Sequence, residues 1–218
     1  VFGADYQNLL QSQNEDVYGL RARSYNSAAL NLGIATKDPH SVGLDYKVGL
    51  EYRYSDDFSN DQVNGQAGLQ SHDLDFGLNV ESVLTGGHNL KIDARFGITD
   101  ESGAFDVTAG ALEFAPRYVI KASRWLFDVG LRLSTVFKTD GESSMYQHRE
   151  QVIYPDLRAE YMIAPEFLKA YASLGGGCEM NTYSSLVNDN RRLNFYYGRG
   201  VWNILDVTEE KLAAELGF

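Results

Sequence analysis

Between Ser41 and Tyr54 apolar and polar residues alternate without a break. Val42, Leu44, Tyr46, Val48, Leu50, Tyr52 and Tyr54 share one face; Ser41, Gly43, Asp45, Lys47, Gly49, Glu51 and Arg53 share the other. Successive side chains of a strand point to opposite faces, so this pattern predicts one long strand with two unlike faces. A strand in a globular domain usually runs about five or six residues. This one, at roughly 3.3 Å per residue, is long enough to cross the hydrocarbon of a bilayer at a tilt.

The same period recurs along the chain. From Asp16 it places Tyr18, Leu20 and Ala22 on one face, and over 29–36 Leu30, Leu32 and Ile34. Strands follow at 73–84 (Leu74, Phe76, Leu78, Val80) and 89–99 (Leu90, Ile92, Ala94, Phe96, Ile98). A run from Phe105 through Val107, Ala109 and Ala111 continues less regularly to Ile120, across Pro116, a residue awkward in a paired strand. Trp125, Phe127, Val129, Leu131 and Leu133 then alternate with Asp128, Gly130, Arg132 and Ser134. Two last strands are predicted at 151–161 (Ile153, Leu157, Ala159, Tyr161) and 167–177 (Leu168, Ala170, Ala172, Leu174).

The connections sort by length. Short ones at 37–40, 85–88, 121–124 and 162–166 fall at one end of an antiparallel sheet; longer ones at 55–72, 100–104 and 138–150 fall at the other. Outer-membrane barrels have this asymmetry. Around the Gly86-Gly87 turn, positions summing to 172 are expected to pair, setting Glu81 opposite Lys91, Asn79 opposite Asp93 and Gly77 opposite Arg95. Aromatic residues near strand ends (Tyr52, Tyr54, Trp125, Phe127, Phe137) suit the interfacial girdles of such a barrel. Residues 1–14 read as an irregular segment and 15–200 as strands and loops. In the tail, Asp206 with Glu209 resembles a capping box, Leu212 and Leu216 lie four apart, and Gly217 is a stop signal, so 206–216 reads as a short helix.

Composition narrows the partners. Mean hydropathy is −0.32, and no apolar run is long enough for a transmembrane helix, but a barrel spreads its apolar residues over every second position. A net charge of −11 over 218 residues makes nucleic acid an unsuitable partner. Cys178 stands alone, so neither an intrachain disulfide nor a thiolate metal site is expected.

No catalytic pattern emerges. His40, His72, His88 and His148 fall in or beside loops with no triad spacing. Asp57, Ser59 and Asp61 imitate the start of a calcium loop, but Gln62 stands where glycine is required and Gly68 where glutamate is. The carboxylates on the polar faces are interleaved with lysine and arginine, which suits an ion-pair network better than acid–base chemistry. Gly175-Gly176-Gly177 is not followed by a lysine or a helix start, so a bend or close strand packing is the expected role rather than phosphate binding. No enzyme, cofactor or metal is expected.

Tyr154-Pro155-Asp156-Leu157-Arg158, Ala170-Tyr171 with Gly176-Gly177, and Asn181-Thr182-Tyr183-Ser184-Ser185-Leu186 follow one another in that order. In these motifs the chain resembles a family of outer-membrane β-barrel proteins of anaerobic gut and oral bacteria, TonB-dependent-receptor-like or porin-like. The resemblance implies a barrel and a transport role. Family members continue through further strands after the N-x-Y loop, whereas Arg191 to Phe218 does not repeat that pattern, so energy-coupled uptake is not implied.

The expectation is therefore an all-β, antiparallel, up-and-down transmembrane β-barrel, or a large part of one, in a Gram-negative outer membrane, with a short C-terminal helix. Val42, Leu44, Val48, Leu50, Leu74, Phe76, Leu78, Leu90, Ile92, Leu131 and Leu133 should face lipid. Asp45, Lys47, Glu51, Arg53, Asp93, Arg95, Asp128, Arg132, Asp156, Arg158 and Glu160 should line the lumen. Its partners would be outer-membrane lipid and a small solute or nutrient. The competing reading is a soluble, β-rich, non-catalytic binding module.

Overall fold

In the computed structural model, residues 2–11, 23–37, 43–59, 68–84, 86–103, 106–140, 147–164, 167–189 and 207–218 are described. They form ten strands and one short helix. The strands are β1 (Phe2–Gln11), β2 (Arg23–Ala35), β3 (Leu44–Ser59), β4 (Leu69–Val83), β5 (His88–Ser102), β6 (Val107–Ala122), β7 (Trp125–Asp140), β8 (Gln147–Ala164), β9 (Leu168–Met180) and β10 (Val207–Gly217). Helix α1 spans Tyr183–Asp189. All ten strands belong to one antiparallel sheet in chain order, an up-and-down topology. β1 and β10 are its two edges and do not pair with each other among the described residues.

The predicted register across the Gly86-Gly87 turn is present: Glu81 pairs with Lys91, Asn79 with Asp93 and Gly77 with Arg95. Gly86 and Gly87 hold φ values of 80° and 82°, a region where glycine carries no steric cost. Pro116 does not interrupt β6. It lies opposite Ile92 of β5, while the ladder to β7 skips from Phe114 to Arg117. The missing N–H of proline is thus placed in a gap on one side of the strand.

The alternation sorts the faces as expected, with the polar face inside. Ser27, Ser55, Asp57, Ser71, Asp73, Thr99, Glu101, Asp128 and Ser134 are buried, while Leu32 is 46 % exposed, Leu131 52 % and Ile153 65 %. β6 departs from its predicted parity. Val107 and Ala109 are buried, and Leu112, Phe114 and Tyr118 face out instead.

Several boundaries move. The segment 1–14, read as irregular, contains β1, held by ten register pairs to β2 from Phe2 opposite Leu32 to Gln11 opposite Arg23. The predicted loops at 55–72 and 138–150 shrink, because β3 runs to Ser59, β4 starts at Leu69, β7 runs to Asp140 and β8 starts at Gln147. The predicted helix at 206–216 is strand β10, paired with β9 from Val207 opposite Met180 to Gly217 opposite Tyr171. A spacing of four fits a strand as well as a helix; Leu212 and Leu216 are both exposed, and the pairing to β9 slips by one residue between Glu210 and Ala213. The open edge of β9 supplies the backbone partners that decide between the two. Asp206, the proposed cap, lies outside the described residues, as do Val42, His40, Asp61 and Gln62. Among the described residues, helix falls instead on Tyr183–Asp189.

Candidate functional site

The interior of the sheet has two parts. The first is a charged middle. Arg117 on β6 pairs with Asp93 on β5 and lies 3.6 Å from Asp128 on β7 and 4.0 Å from Asp156 on β8. Asp156 also meets Arg132 at 3.4 Å. Arg53 pairs with Glu51 at 2.7 Å, Lys91 with Glu81 at 3.6 Å, and Glu160 with both Arg158 at 2.8 Å and Lys169 at 3.7 Å. The predicted ion-pair network is therefore in place. Each partly solvated pair is worth under about 1 kcal/mol, so the network orients side chains more than it stabilises them.

Beside this network lies a cavity of about 670 Å³, lined among others by Lys47, Asn79, Asp93, Arg95, Glu113 and Arg132. Its floor includes Gly49 and Gly77, which are register partners on β3 and β4. A Cβ placed on either would meet no atom within 4 Å. Absent side chains on two adjacent strands thus leave room that the surrounding residues do not fill.

The second part closes the end where the longer connections gather. β9 pairs with β8 only as far as Leu174 opposite Leu157. Beyond it, Gly175, Gly176 and Gly177 carry the strand away from β8 while β10 follows it. Glu113 on β6 accepts the Cys178 N–H at 3.3 Å. A Cβ on Gly177 would lie 2.9 Å from Nη1 of Arg132 on β7. The tail of β9 therefore lies across the interior face of β6 and β7, and the glycines permit that approach.

Helix α1 continues this inward path. The Tyr183 hydroxyl donates to Asp57 on β3, and its backbone N–H donates to Glu101 Oε1 on β5 at 3.1 Å. Its ring meets Tyr25 on β2 edge-on, with centroids 6.1 Å apart. Ser184 donates to Asp73 Oδ2 on β4 at 2.5 Å, and Thr99 and Ser71 donate to Asp73 Oδ1 at 2.5 and 2.9 Å. Tyr25, Leu69, Tyr183 and Val187 form a buried apolar cluster with Leu186 against it. This short helix thereby ties together four strands that the sheet already holds in order.

Glu101 is the exception within this latch. Its Oε2 is buried and has no hydrogen-bond partner among the described residues. The outward apolar positions of β5 run from Leu90 to Ile98, so Glu101 lies beyond the apolar belt. Burial, and then the nearby Asp73 carboxylate, pushes its carboxyl up to about 8.

Of the residues expected in the interior, Glu51, Arg53, Asp93, Asp128, Arg132, Asp156, Arg158 and Glu160 belong to the ion-pair network. Lys47 and Arg95 line the cavity. Asp45 is exposed and pairs in register with Glu81. Of those expected on the outer face, Leu44, Leu50, Phe76, Leu90, Leu131 and Leu133 are exposed, and Val48, Leu74, Leu78 and Ile92 are half-buried on the same faces. Asp57, considered for calcium, instead receives the Tyr183 hydroxyl. Arg117 and Glu113 were not foreseen. They share the odd face of β6 with Val107, Ala109, Ala115 and Val119, so the alternation pointed both of them outward. Tyr25, Tyr183 and Ser184 left no local signal, since their partners lie far away in sequence.

No family model matches the chain, and no curated protein matches it. Among solved structures, it resembles the copper transporter OprC with a TM-score of 0.50 at 15 % identity, over 74 % of this chain and 31 % of that one. The chain thus spans about a third of that protein's length. It also resembles the β domain of the Bordetella autotransporter BrkA with a TM-score of 0.34 at 11 % identity, over 81 % of this chain and 76 % of that one. The first likeness concerns the fold, that of an outer-membrane β-barrel.

Proposed function

We propose that this chain is an outer-membrane barrel, or an arc of one, that admits a small polar solute into its interior. One observation carries the reading: the sheet is inside out, with serine, threonine, aspartate and glutamate buried and leucine, isoleucine and tryptophan exposed. Water on both sides would penalise that arrangement, whereas lipid outside and a polar lumen inside reward it.

The aromatic residues agree with it. Tyr52, Tyr54 and His72 cluster at one end of the outer face. His88 with Tyr118, and Trp125 with Phe127 and Tyr161, cluster at the other. Along β5, from the His72 partner Asp100 down to His88, a tilted strand rises about 30 Å, the thickness of a bilayer's hydrocarbon.

In hydrocarbon the outer edges of β1 and β10 need backbone partners, so in the membrane the seam is completed by pairing. Lipid and a solute are the partners this reading requires, and no catalysis. A TonB-dependent or a porin-like mode of passage is compatible with the same lumen. Copper, the metal in OprC's name, is not part of the reading; among the described residues no group of three or more histidine, cysteine, aspartate or glutamate side chains is placed to hold a metal ion.

The test is fractionation and reconstitution. Expressed with an export signal in a Gram-negative host, the protein should sediment with outer membranes and require detergent for extraction. In liposomes it should raise the permeability to small sugars or ions. A monodisperse monomer in detergent-free buffer would overturn the reading in favour of a soluble binding module.

A further inference from the structure

The cations of the interior are not all spoken for. Arg53, Lys91, Arg117, Arg132, Arg158 and Lys169 each have a carboxylate within 4.0 Å. Lys47 and Arg95 make no ion pair among the described residues, and both line the same cavity.

Register explains why. Lys47 stands between Ala35 on β2 and Asn79 on β4, neither of which is an anion. The Asn79 amide donates instead to Asp93. Arg95 stands between Gly77 and Glu113. Glu113 could have paired with it, but its Oε1 accepts from Ser134 at 3.1 Å and from the Cys178 N–H at 3.3 Å. The tail of β9 thus draws Glu113 away from Arg95, and Asp75, the other carboxylate that interacts with Arg95, lies beyond ion-pair distance.

The remaining carboxylate of the cavity wall, Asp93, is held by Arg117 and Asn79. Two strand spacings and a two-residue offset put the Lys47 and Arg95 Cα atoms about 12 Å apart, which two long side chains can bridge around a small molecule. Gly49 and Gly77 provide the space between them. The volume, about 670 Å³, is in the range of small-ligand sites.

We propose that this glycine-floored cavity binds a small organic or inorganic anion, a carboxylate or a phosphate, between the Arg95 guanidinium and the Lys47 ammonium. A planar guanidinium takes either oxyanion in two parallel hydrogen bonds, and the lysine adds a mobile point charge. This assignment rests on the reading of the interior as a solute-accessible lumen, and it names the class of solute held there.

The experiment separates binding from passage. Calorimetric titration of the whole detergent-solubilised protein with succinate, and separately with inorganic phosphate, reads binding without requiring conduction. Either probe should bind, and the tighter one identifies the oxyanion. Lys47→Gln and Arg95→Gln should each weaken binding at least about tenfold. Arg95→Lys should retain part of it. Gly77→Leu should abolish it by filling the cavity without changing any charge, while the melting temperature stays near that of the parent.

Absence of binding by both probes in protein that conducts in liposomes would overturn the anion site and leave the transport reading intact. Binding that is unchanged in Lys47→Gln and Arg95→Gln would overturn it as well. Binding that follows the variants in a protein that passes nothing would instead establish the site and defeat the transport reading.

Discussion

The mouth and the middle of this interior are built on the same alternating code and come out opposite. At the mouth, Asp57, Asp73 and Glu101 are nearly sealed from solvent, and α1 fills the space above them with Tyr183, Ser184 and Val187. In the middle, Lys47 and Arg95 remain solvent-accessible beside a floor of glycine. The difference is not in the strands. It comes from what lies over them: α1 packs directly onto the mouth, whereas the β9 tail leaves open cavities over the middle. The buried Asp57 and Asp73 carboxylates at the mouth are tolerated because hydroxyls of the latch donate to them, while Glu101 keeps one oxygen without a partner among the described residues. Cations in the middle need no such satisfaction, because water reaches them.

The sharpest way to break the contrast is to remove the latch's anchor. Tyr183→Ala deletes the contact with Tyr25, the donor to Asp57 and part of the apolar cluster. A loss of about 3–5 kcal/mol is expected for a buried aromatic in that setting. Hydrogen exchange should show residues 183–189 losing protection while the β3–β7 ladders keep theirs. If the ladders lose protection equally, the latch is part of the sheet's stability and the two regions are not separable.

The middle should respond differently. Arg117→Met keeps much of the volume but leaves Asp93, Asp128 and Asp156 without their shared cation. The cost should be about 1–3 kcal/mol, smaller than at the mouth because three of the four groups are partly solvated. Denaturant titration in lipid or detergent measures it, and exchange at 183–189 should be unchanged. Loss of protection there would mean that the two regions are coupled.

How much of this was legible in the residues alone follows from the range of each interaction. The face of Leu44, Lys47, Leu131 or Arg132 follows from local alternation, and the β4–β5 register follows from a turn of two glycines. Both are short-range facts. The latch is not. Tyr183 meets Asp57 across 126 positions and Glu101 across 82, and no periodicity encodes such a meeting. The tail at 207–217 failed for another reason. Leu212 and Leu216 fit both periods, so the choice belonged to the free edge of β9. In β6 the interior face also carries the apolar Val107, Ala109, Ala115 and Val119, which hid that Glu113 and Arg117 lie on it, and with them the centre of the ion-pair network.

Proton concentration offers a gentler probe of the mouth. The Glu101 carboxyl is raised from 4.5 to about 8 in the folded protein by burial, with Asp73 adding to it and Lys138 opposing it. A group raised in this way contributes stability that is fully present below about 4.5 and is lost as pH rises towards 8. Docking of α1 should therefore weaken over that window, read as faster exchange at Tyr183 and its neighbours after correction for the intrinsic rate. Asp57 and Asp73 face the same space and receive Tyr183 and Ser184, so the fall should be shallow. Glu101→Gln should flatten it. A latch equally protected across the window in the parent protein would remove Glu101 from the account.

The smallest effect separates empty space from filled space, residue by residue. Gly49 and Gly97 are both interior glycines on paired strands, on β3 and β5. A methyl group on Gly49 would meet nothing within 4 Å. Gly49→Ala should therefore stabilise the protein by up to about 1 kcal/mol, because it restricts the unfolded chain without a clash in the folded one. A methyl group on Gly97 would lie 2.9 Å from Asp75 Oδ1 and 3.3 Å from Met180 Cε at the end of β9. Gly97→Ala should thus lose that gain and more, since the carboxylate and the β9 tail must both move. Equal melting temperatures for the two variants would mean that the floor is filled as fully as the zone beneath the latch, and the contrast between the two regions would fall with it.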